Sequence, residues 1–269
     1  MTTVARGESE RFQMDAARYA AYLETPEGRL RLDLAFANLQ EFLPQTTGAL
    51  TALDIGCGTG TTAVRLARLG VHVTLLDSSA AMLDLAKHAA QEAGVTERIT
   101  IKLQDAGHSD SIASGPFDVI VCHNVLEYVD EPEAVLRCAS RGMRNSSSIL
   151  SLLVRNQAGE VLKAAIQAGD LAAAENNLSA DWGREVLYGG KVRLFTADGL
   201  RAMLKAASLT LAVERGVRVI ADYLPARISR HAEYDRILKL ERELGRRPVF
   251  GAIARYTHCL VRRSNSSTE

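Results

Sequence analysis

Paired cysteines are the first thing this sequence lacks. Cys57, Cys122, Cys138 and Cys259 are scattered, with no C-x-x-C spacing. That excludes a disulfide scaffold or a paired redox site and fits reduced thiols in the cytoplasm. The six histidines show no ligand spacing with cysteines or acids, so no metal is expected. Formal net charge is zero, which removes any whole-molecule attraction for nucleic acid but leaves room for a local basic face. There is no apolar signal core near the N-terminus and no uninterrupted apolar run long enough to cross a bilayer, so no membrane partner is expected. Repeats and Pro-rich linkers are absent too. The reading is one domain over 1–269, with a mobile segment at 1–20, a lid or substrate insertion at 157–195 and a disordered tail at 264–269.

What is present is a β/α alternation. Leu50–Ile55, Val71–Leu76, Ile99–Leu103, Phe117–Cys122 and Ile149–Val154 are short apolar runs that read as strands. Helical patterns lie between them, notably Thr61–Leu69, Ser79–Ala93 and Pro132–Arg141, and Arg29–Leu43 precedes them with a stripe of Leu30, Leu34, Leu39 and Leu43. Ser78 or Ser79 is a candidate N-cap and Gly94 a C-cap. This order predicts an α/β fold, a doubly wound, mostly parallel sheet. After the fifth strand the pattern loosens. Ala158–Ala168 reads as helix, 169–190 as irregular, Thr196–Ala207 as helix and Leu209–Ile220 as strand. Pro225–Leu244 reads as a long charged helix and Val249–Val261 as the last strand.

The chemistry starts at Asp54-Ile55-Gly56-Cys57-Gly58-Thr59-Gly60. Strand, glycine turn and helix open a nucleotide site in α/β sheets. The spacing is G-x-G-x-G, not the G-x-G-x-x-G of pyrophosphate-binding dinucleotide folds. A carboxylate beside the loop suits a ligand with a positive amine or sulfonium. Asp77 ends the second strand, where an acid accepts from both ribose hydroxyls of an adenosine. The combination resembles motif I of the class I S-adenosylmethionine-dependent methyltransferases. That resemblance implies a Rossmann-like seven-stranded sheet with an antiparallel final strand. It implies S-adenosyl-L-methionine as cofactor, Asp105 and the N–H of Ala106 at the adenine, and Met82 covering the ring or packing in the core.

Other candidates follow from position. His123 and Asn124 end the fourth strand, at the sheet edge where open α/β folds bind ligands. His123 is either a site residue or a packed histidine. Arg31 binds the methionine carboxylate if the N-terminal helix closes over the site. Arg155 and Asn156 end the fifth strand, Asn156 being the better candidate for substrate contact. Arg227, Arg230, Arg236, Lys239, Arg242, Arg246 and Arg247 form either a basic face or a solvated helix balanced by Glu233, Asp235, Glu241 and Glu243.

From about Tyr22 to Arg262 the sequence resembles the tRNA 5-carboxymethoxyuridine methyltransferases, which esterify the carboxylate of a modified wobble uridine. The likeness rests on Gly28-Arg29-Leu30-Arg31, the glycine turn, and Asp77-Ser78-Ser79-Ala80-Ala81-Met82. It continues at His123-Asn124-Val125-Leu126-Glu127, Asn156-Gln157-Ala158-Gly159, Gly216-Val217-Arg218-Val219, Asp222-Tyr223-Leu224 and Arg255-Tyr256-Thr257-His258. It implies cofactor contacts at Arg31, Asp54, Gly56, Cys57, Gly58, Asp77, Ser78, Met82, Asp105, Ala106 and His123. It also implies that Arg218 and Tyr223 act on the substrate, with Arg255 helping to hold it beside the positional candidates Arg155 and Asn156, and that tRNA is the partner. The sequence departs from the family where a lysine-rich run is replaced by Asn176–Gly190, with Arg184 its one cation. Two other readings therefore stand: methyl transfer to a small-molecule carboxylate, hydroxyl or amine, and cofactor binding without methyl transfer.

Overall fold

The structure, a computed structural model, describes residues 15–46, 48–107, 115–184 and 190–264. Most of the segment expected to be mobile, 1–14, and the tail 265–269 lie outside the described residues.

Two helices come first, α1 (Ala16–Leu23) and α2 (Pro26–Gln40). Thr25 caps α2, its Oγ1 accepting from the Gly28 N–H at 3.1 Å with Pro26 at the first helical position. Leu30, Leu34 and Leu39 are buried as their spacing requires. There follow β1 (Thr51–Ile55), α3 (Thr61–Arg68), β2 (His72–Asp77), α4 (Ala80–Glu92), β3 (Ile99–Leu103), β4 (Val119–His123), α5 (Pro132–Gly142) and β5 (Ile149–Arg155). Ser79 caps α4 by accepting from the Met82 N–H. Apart from His123, Ser151 and Arg155, β4 and β5 are apolar along their length because both faces are covered.

The second half holds α6 (Gln157–Leu162), which runs into a π-helical turn at Lys163–Gln167, then α7 (Leu171–Asn177). A small hairpin of β6 (Trp182–Arg184) and β7 (Lys191–Arg193) leads to α8 (Ala197–Ala206) and β8 (Leu209–Val217). α9 (Tyr234–Gly245), the single turn α10 (Pro248–Gly251) and β9 (Tyr256–Arg263) follow.

The main sheet has seven strands in the order β3-β2-β1-β4-β5-β9-β8. β1 to β5 are mutually parallel, and β9 runs antiparallel between β5 and β8. Strand order reverses between β1 and β4, so the crevice at their C-terminal ends is the switch point of the fold. Among the described residues no helix is long and apolar enough to cross a membrane.

Three expectations need correction. The stretch 169–190 is not irregular throughout: Asp170 caps α7 by accepting from the Ala173 N–H at 2.9 Å, and the β6–β7 hairpin follows. The helix expected over Pro225–Leu244 starts only at Tyr234, because Arg230 binds the carbonyls of Ala221 and Leu224 and Ser229 accepts from the Ala232 N–H. Side chain–backbone bonds of that kind compete with helix. Val249 to Ile253 is not strand either. Pro248 starts a helical turn there, and Gly251 packs against the backbone of Gly216.

Candidate active site

The glycine turn and Asp77 form one unit. Gly56, Gly58 and Gly60 all adopt left-handed φ, between 53° and 72°. A Cβ on Gly56 would lie 2.5 Å from Val125 Cγ2, and one on Gly60 would lie 2.8 Å from Ala86 Cβ. Asp77 Oδ2 accepts from the Gly58 N–H at 2.8 Å, Oδ1 from the Ser79 N–H at 2.9 Å, and the Ser78 N–H also donates to this carboxylate. Burial raises the Asp77 pKa and these N–H groups offset only part of the rise. Asp105 lies close enough to add repulsion. Its own Oδ1 accepts from the Gly107 N–H at 2.8 Å, and Ala106 beside it is buried.

Beside this turn lies a cleft walled by Tyr19, Arg31, Asp54, Cys57, His123 and Asn124, with Gly56 and Thr59 on its rim. An acidic and a basic side chain face it. Asp54 is buried, its Oδ2 has no hydrogen-bond partner, and burial plus the nearby Asp77 push its pKa up to about 8. Arg31 donates from Nη1 to Asn124 Oδ1 at 3.0 Å and from Nη2 to the Tyr19 hydroxyl at 2.9 Å. Burial opposes its charge, but Tyr19, Tyr22 and Tyr256 outweigh it and raise the guanidinium's pKa well above its usual value. An orphaned carboxylate oxygen and a guanidinium in one cleft fit the ammonium and carboxylate of an amino acid moiety. The donor set and the glycine cradle thus fit S-adenosylmethionine.

Asn124 takes left-handed φ and passes the contact on, its Nδ2 donating to Glu127 Oε1 at 2.9 Å. The same oxygen accepts from the Arg155 N–H. His123 turns Nε2 to Ser151 Oγ at 2.8 Å, and Ser151 meets Nε2 of His258 at 2.8 Å. Burial, then the charge of Arg31, pulls His123 down to about 3, so it is neutral at physiological pH.

Next to Arg31 is a second cluster. The guanidinium carbons of Arg31, Arg155, Arg218 and Arg255 all lie 5.8–5.9 Å from the centre of the Tyr256 ring. All five side chains are buried. Glu160 Oε1 pairs with Arg155 at 3.0 Å and Arg255 at 2.5 Å, while Arg218 forms a short pair with Asp222 and donates to the Tyr22 hydroxyl at 2.9 Å. Four guanidiniums against two paired carboxylates leave an excess of positive charge. Burial pushes the Tyr256 phenol up, but the arginines outweigh it and bring it to about 8. Arg218 sits at φ 62°. The loop after it is held by Glu241, which accepts from the N–H groups of Val219, Ile220 and Ala221.

The structure thus brings Arg31, Asp54, Gly56, Cys57 and His123 to one cleft, with Gly58, Asp77 and Ser78 on its turn. Met82 is buried on the first turn of α4. Arg155, Arg218 and Arg255 converge, and the Tyr223 ring is near them, its hydroxyl 3.5 Å from the Gly159 carbonyl and raised to about 12 by burial and Asp222. Asn156 is engaged within the fold: Nδ2 donates to the carbonyls of Ala252 and Ala254, and Oδ1 accepts from the Ala158 N–H. Sequence reasoning missed Tyr19, Ser151, Glu160 and the central place of Tyr256. Of its two readings of this helix, the solvated one used Glu241 as a balancing surface charge, yet this carboxylate is fully buried. The one available signal was its place on α9 beside the apolar Ile237 and Leu238.

Comparison with known proteins agrees with this geometry. A methyltransferase-domain family model matches residues 52–146. The tRNA 5-carboxymethoxyuridine methyltransferase of Escherichia coli (strain K12) is 30% identical over 250 residues, 90% of this chain and 91% of that protein. A ubiquinone biosynthesis O-methyltransferase of Pectobacterium atrosepticum is 34% identical over 116 residues, 43% of this chain and 47% of that protein. A solved structure of similar fold is the Burkholderia thailandensis 1,6-didemethyltoxoflavin-N1-methyltransferase with bound S-adenosylhomocysteine. It has a TM-score of 0.59 and 16% identity, and covers 98% of this chain and 92% of that one.

Fold and site define a class I S-adenosylmethionine-dependent methyltransferase. Within that class the chain belongs to the same family as the E. coli tRNA 5-carboxymethoxyuridine methyltransferase.

Proposed function

We propose that this enzyme methylates the carboxylate of 5-carboxymethoxyuridine at the wobble position of tRNA. The observation that carries the reading is the buried cluster of Arg155, Arg218 and Arg255 around Tyr256, beside the cleft that holds Arg31 and Asp54. Uncompensated guanidiniums recognise a carboxylate. The likeness to the E. coli tRNA enzyme along nearly its whole length supports the same substrate.

In this reading Arg31 and Asp54 hold the two charged ends of the cofactor's amino acid moiety. The Gly56–Gly58 turn and Asp77 hold its ribose, with Cys57, Ser78 and Met82 lining the nucleoside. Asp105 and Ala106 contact the adenine. When bound, S-adenosylmethionine supplies the electrophilic sulfonium methyl. Arg218 and Arg255 orient the substrate carboxylate, and Tyr223 and Arg155 bound its pocket. A carboxylate is ionised at neutral pH and needs no base; catalysis is then positioning and electrostatics.

A small-molecule acceptor is the second reading. The short supply of cations in the insertion favours it, since phosphate contacts dominate affinity for RNA. The test is mass spectrometry of tRNA nucleosides from cells lacking this protein. Accumulation of unmethylated 5-carboxymethoxyuridine is expected. An unchanged nucleoside profile, with no methyl transfer to tRNA by the purified enzyme at low salt, sinks the tRNA reading and leaves the small-molecule one.

A further inference from the structure

A line of hydrogen bonds runs from a surface ion pair into the cofactor cleft. Arg215 Nη2 pairs with Glu41 Oε2 at 2.7 Å, and its Nη1 donates to Asn38 Oδ1 at 3.0 Å. Asn38 Nδ2 lies 3.2 Å from His258 Nδ1. Ser151 Oγ lies 2.8 Å from Nε2 of His258 and 2.8 Å from Nε2 of His123. Asn38, Ser151 and His258 are buried, and His123 lines the cleft.

A guanidinium has only N–H donors, so the direction of the line is fixed at that end. Asn38 turns its oxygen to Arg215 and therefore its NH2 to His258. Nδ1 of His258 is then an acceptor. Burial, then His123 and Arg215, hold this ring's pKa well below its usual value, so it is neutral and its single proton lies on Nε2. That proton goes to Ser151 Oγ. The serine hydroxyl, with its oxygen accepting, gives its own proton to His123 Nε2. His123 is neutral as well, so its proton lies on Nδ1.

We infer that Arg215, Asn38, His258 and Ser151 are positioning residues that set His123 as its Nδ1–H tautomer, so that it meets the ligands of the cleft as a hydrogen-bond donor. Its Nε2 lone pair is taken by Ser151. Freeing a lone pair on Nδ1 would require every bond in the line to reverse, and Arg215 cannot reverse. His123 therefore takes no proton from the methyl acceptor. Its N–H suits an anionic oxygen, so the site favours acceptors that arrive already ionised. No group in this hydrogen-bond line depends on RNA, so the His123 tautomer stands or falls apart from the tRNA reading.

The test is nitrogen-15 NMR of the histidine side chains in the full-length protein with S-adenosylhomocysteine bound, near neutral pH. In the wild type His123 carries its proton on Nδ1 and His258 on Nε2. Asn38→Asp replaces the amide donor with an acceptor oxygen, so the line runs the other way: His258 holds its proton on Nδ1, Ser151 donates to His258, and the His123 proton moves to Nε2. Ser151→Ala cuts the line, which leaves His258 as it was and shifts His123 toward Nε2–H. Methyl-transfer kcat/KM falls about tenfold or more in Asn38→Asp, the loss of one hydrogen bond to a charged oxygen. An Nε2–H or doubly protonated His123 in the wild type overturns the inference. So does a His123 proton that stays on Nδ1 in both variants, with backbone amide spectra showing them folded.

Discussion

The backbone N–H of Gly58 donates to Asp77 Oδ2 across 2.8 Å. The left-handed turn after β1 and the acid at the end of β2 therefore hold each other in shape before any ligand arrives. Asp77→Ala leaves the N–H groups of Gly58, Ser78 and Ser79 without their acceptor, at a cost of about 1–3 kcal/mol for each that stays buried and unpaired. Affinity for S-adenosylhomocysteine should fall more than about tenfold, whereas Asp77→Asn, which keeps one carbonyl oxygen, should lose less. Isothermal calorimetry reads both. Wild-type affinity in Asp77→Ala would refute the assignment.

Asp54 gives a proton signature. With its pKa at about 8, it is mostly neutral at pH 7 in the ligand-free protein. A cationic amine binds the ionised form, so cofactor binding at pH 7 should release about one proton. Calorimetry in buffers of different ionisation enthalpy measures this, and Asp54→Asn should abolish it. The folded pKa lies above the unfolded value near 4, so this carboxyl makes the fold less stable as pH rises between the two. Asp54→Asn should flatten that part of the stability profile. Identical proton release in the variant would exclude Asp54 as the source.

Tyr256 should titrate early. A phenol at about 8 among four guanidiniums gives tyrosinate absorbance well below the usual range near 10. The folded pKa is lowered, so the stabilisation is fully present above the unfolded pKa and is lost as pH falls through about 8. A bound carboxylate should oppose ionisation of the phenol and move the midpoint upward. Methoxyacetate is the small anion to add. Tyr256→Phe should lose the early transition. Its persistence in that variant would assign it to another tyrosine.

Glu241 separates substrate from cofactor. Its carboxylate accepts from the N–H groups of Val219, Ile220 and Ala221, on the loop that follows Arg218. Glu241→Gln turns one acceptor into a donor and disturbs that loop. Methyl transfer should drop roughly tenfold or more while S-adenosylhomocysteine affinity stays within about twofold, since the hydrogen bonds of Glu241 go to the loop after Arg218 and not to the walls of the cofactor cleft. Equal losses in both would place Glu241 in general stability instead.

The parallel half of the sheet was legible because each of its strands is a short apolar run bounded by turn residues, and the glycine turn with Asp54 and Asp77 is local in sequence. What stayed hidden depends on distant segments. Tyr256 reads as one more strand aromatic until β9 lands between β5 and β8 and sets it against Arg155, its register partner. Ser151 is a lone polar residue in an apolar strand, and only the approach of His123 and His258 from the neighbouring strands gives it partners. Glu241 has the composition of a solvated helix, yet the N–H groups it caps lie about twenty residues earlier. Asn156 shows the converse: its position after β5 marked it for substrate, but three backbone groups claim its amide.

β9 follows every other strand of the main sheet in sequence, yet it lies inside the sheet and not at its edge. Until Tyr256–Arg263 emerges, β5 has no neighbour on its far side, and Arg255, Tyr256 and His258 are missing from the site. A nascent chain can thus build β1 to β5 and the glycine turn early, but it stays aggregation-prone at the β5 edge and lacks the complete guanidinium cluster until β9 has been made. Premature stop codons anywhere before Tyr256 should leave a product without the guanidinium cluster, however much of the Rossmann-like half has folded.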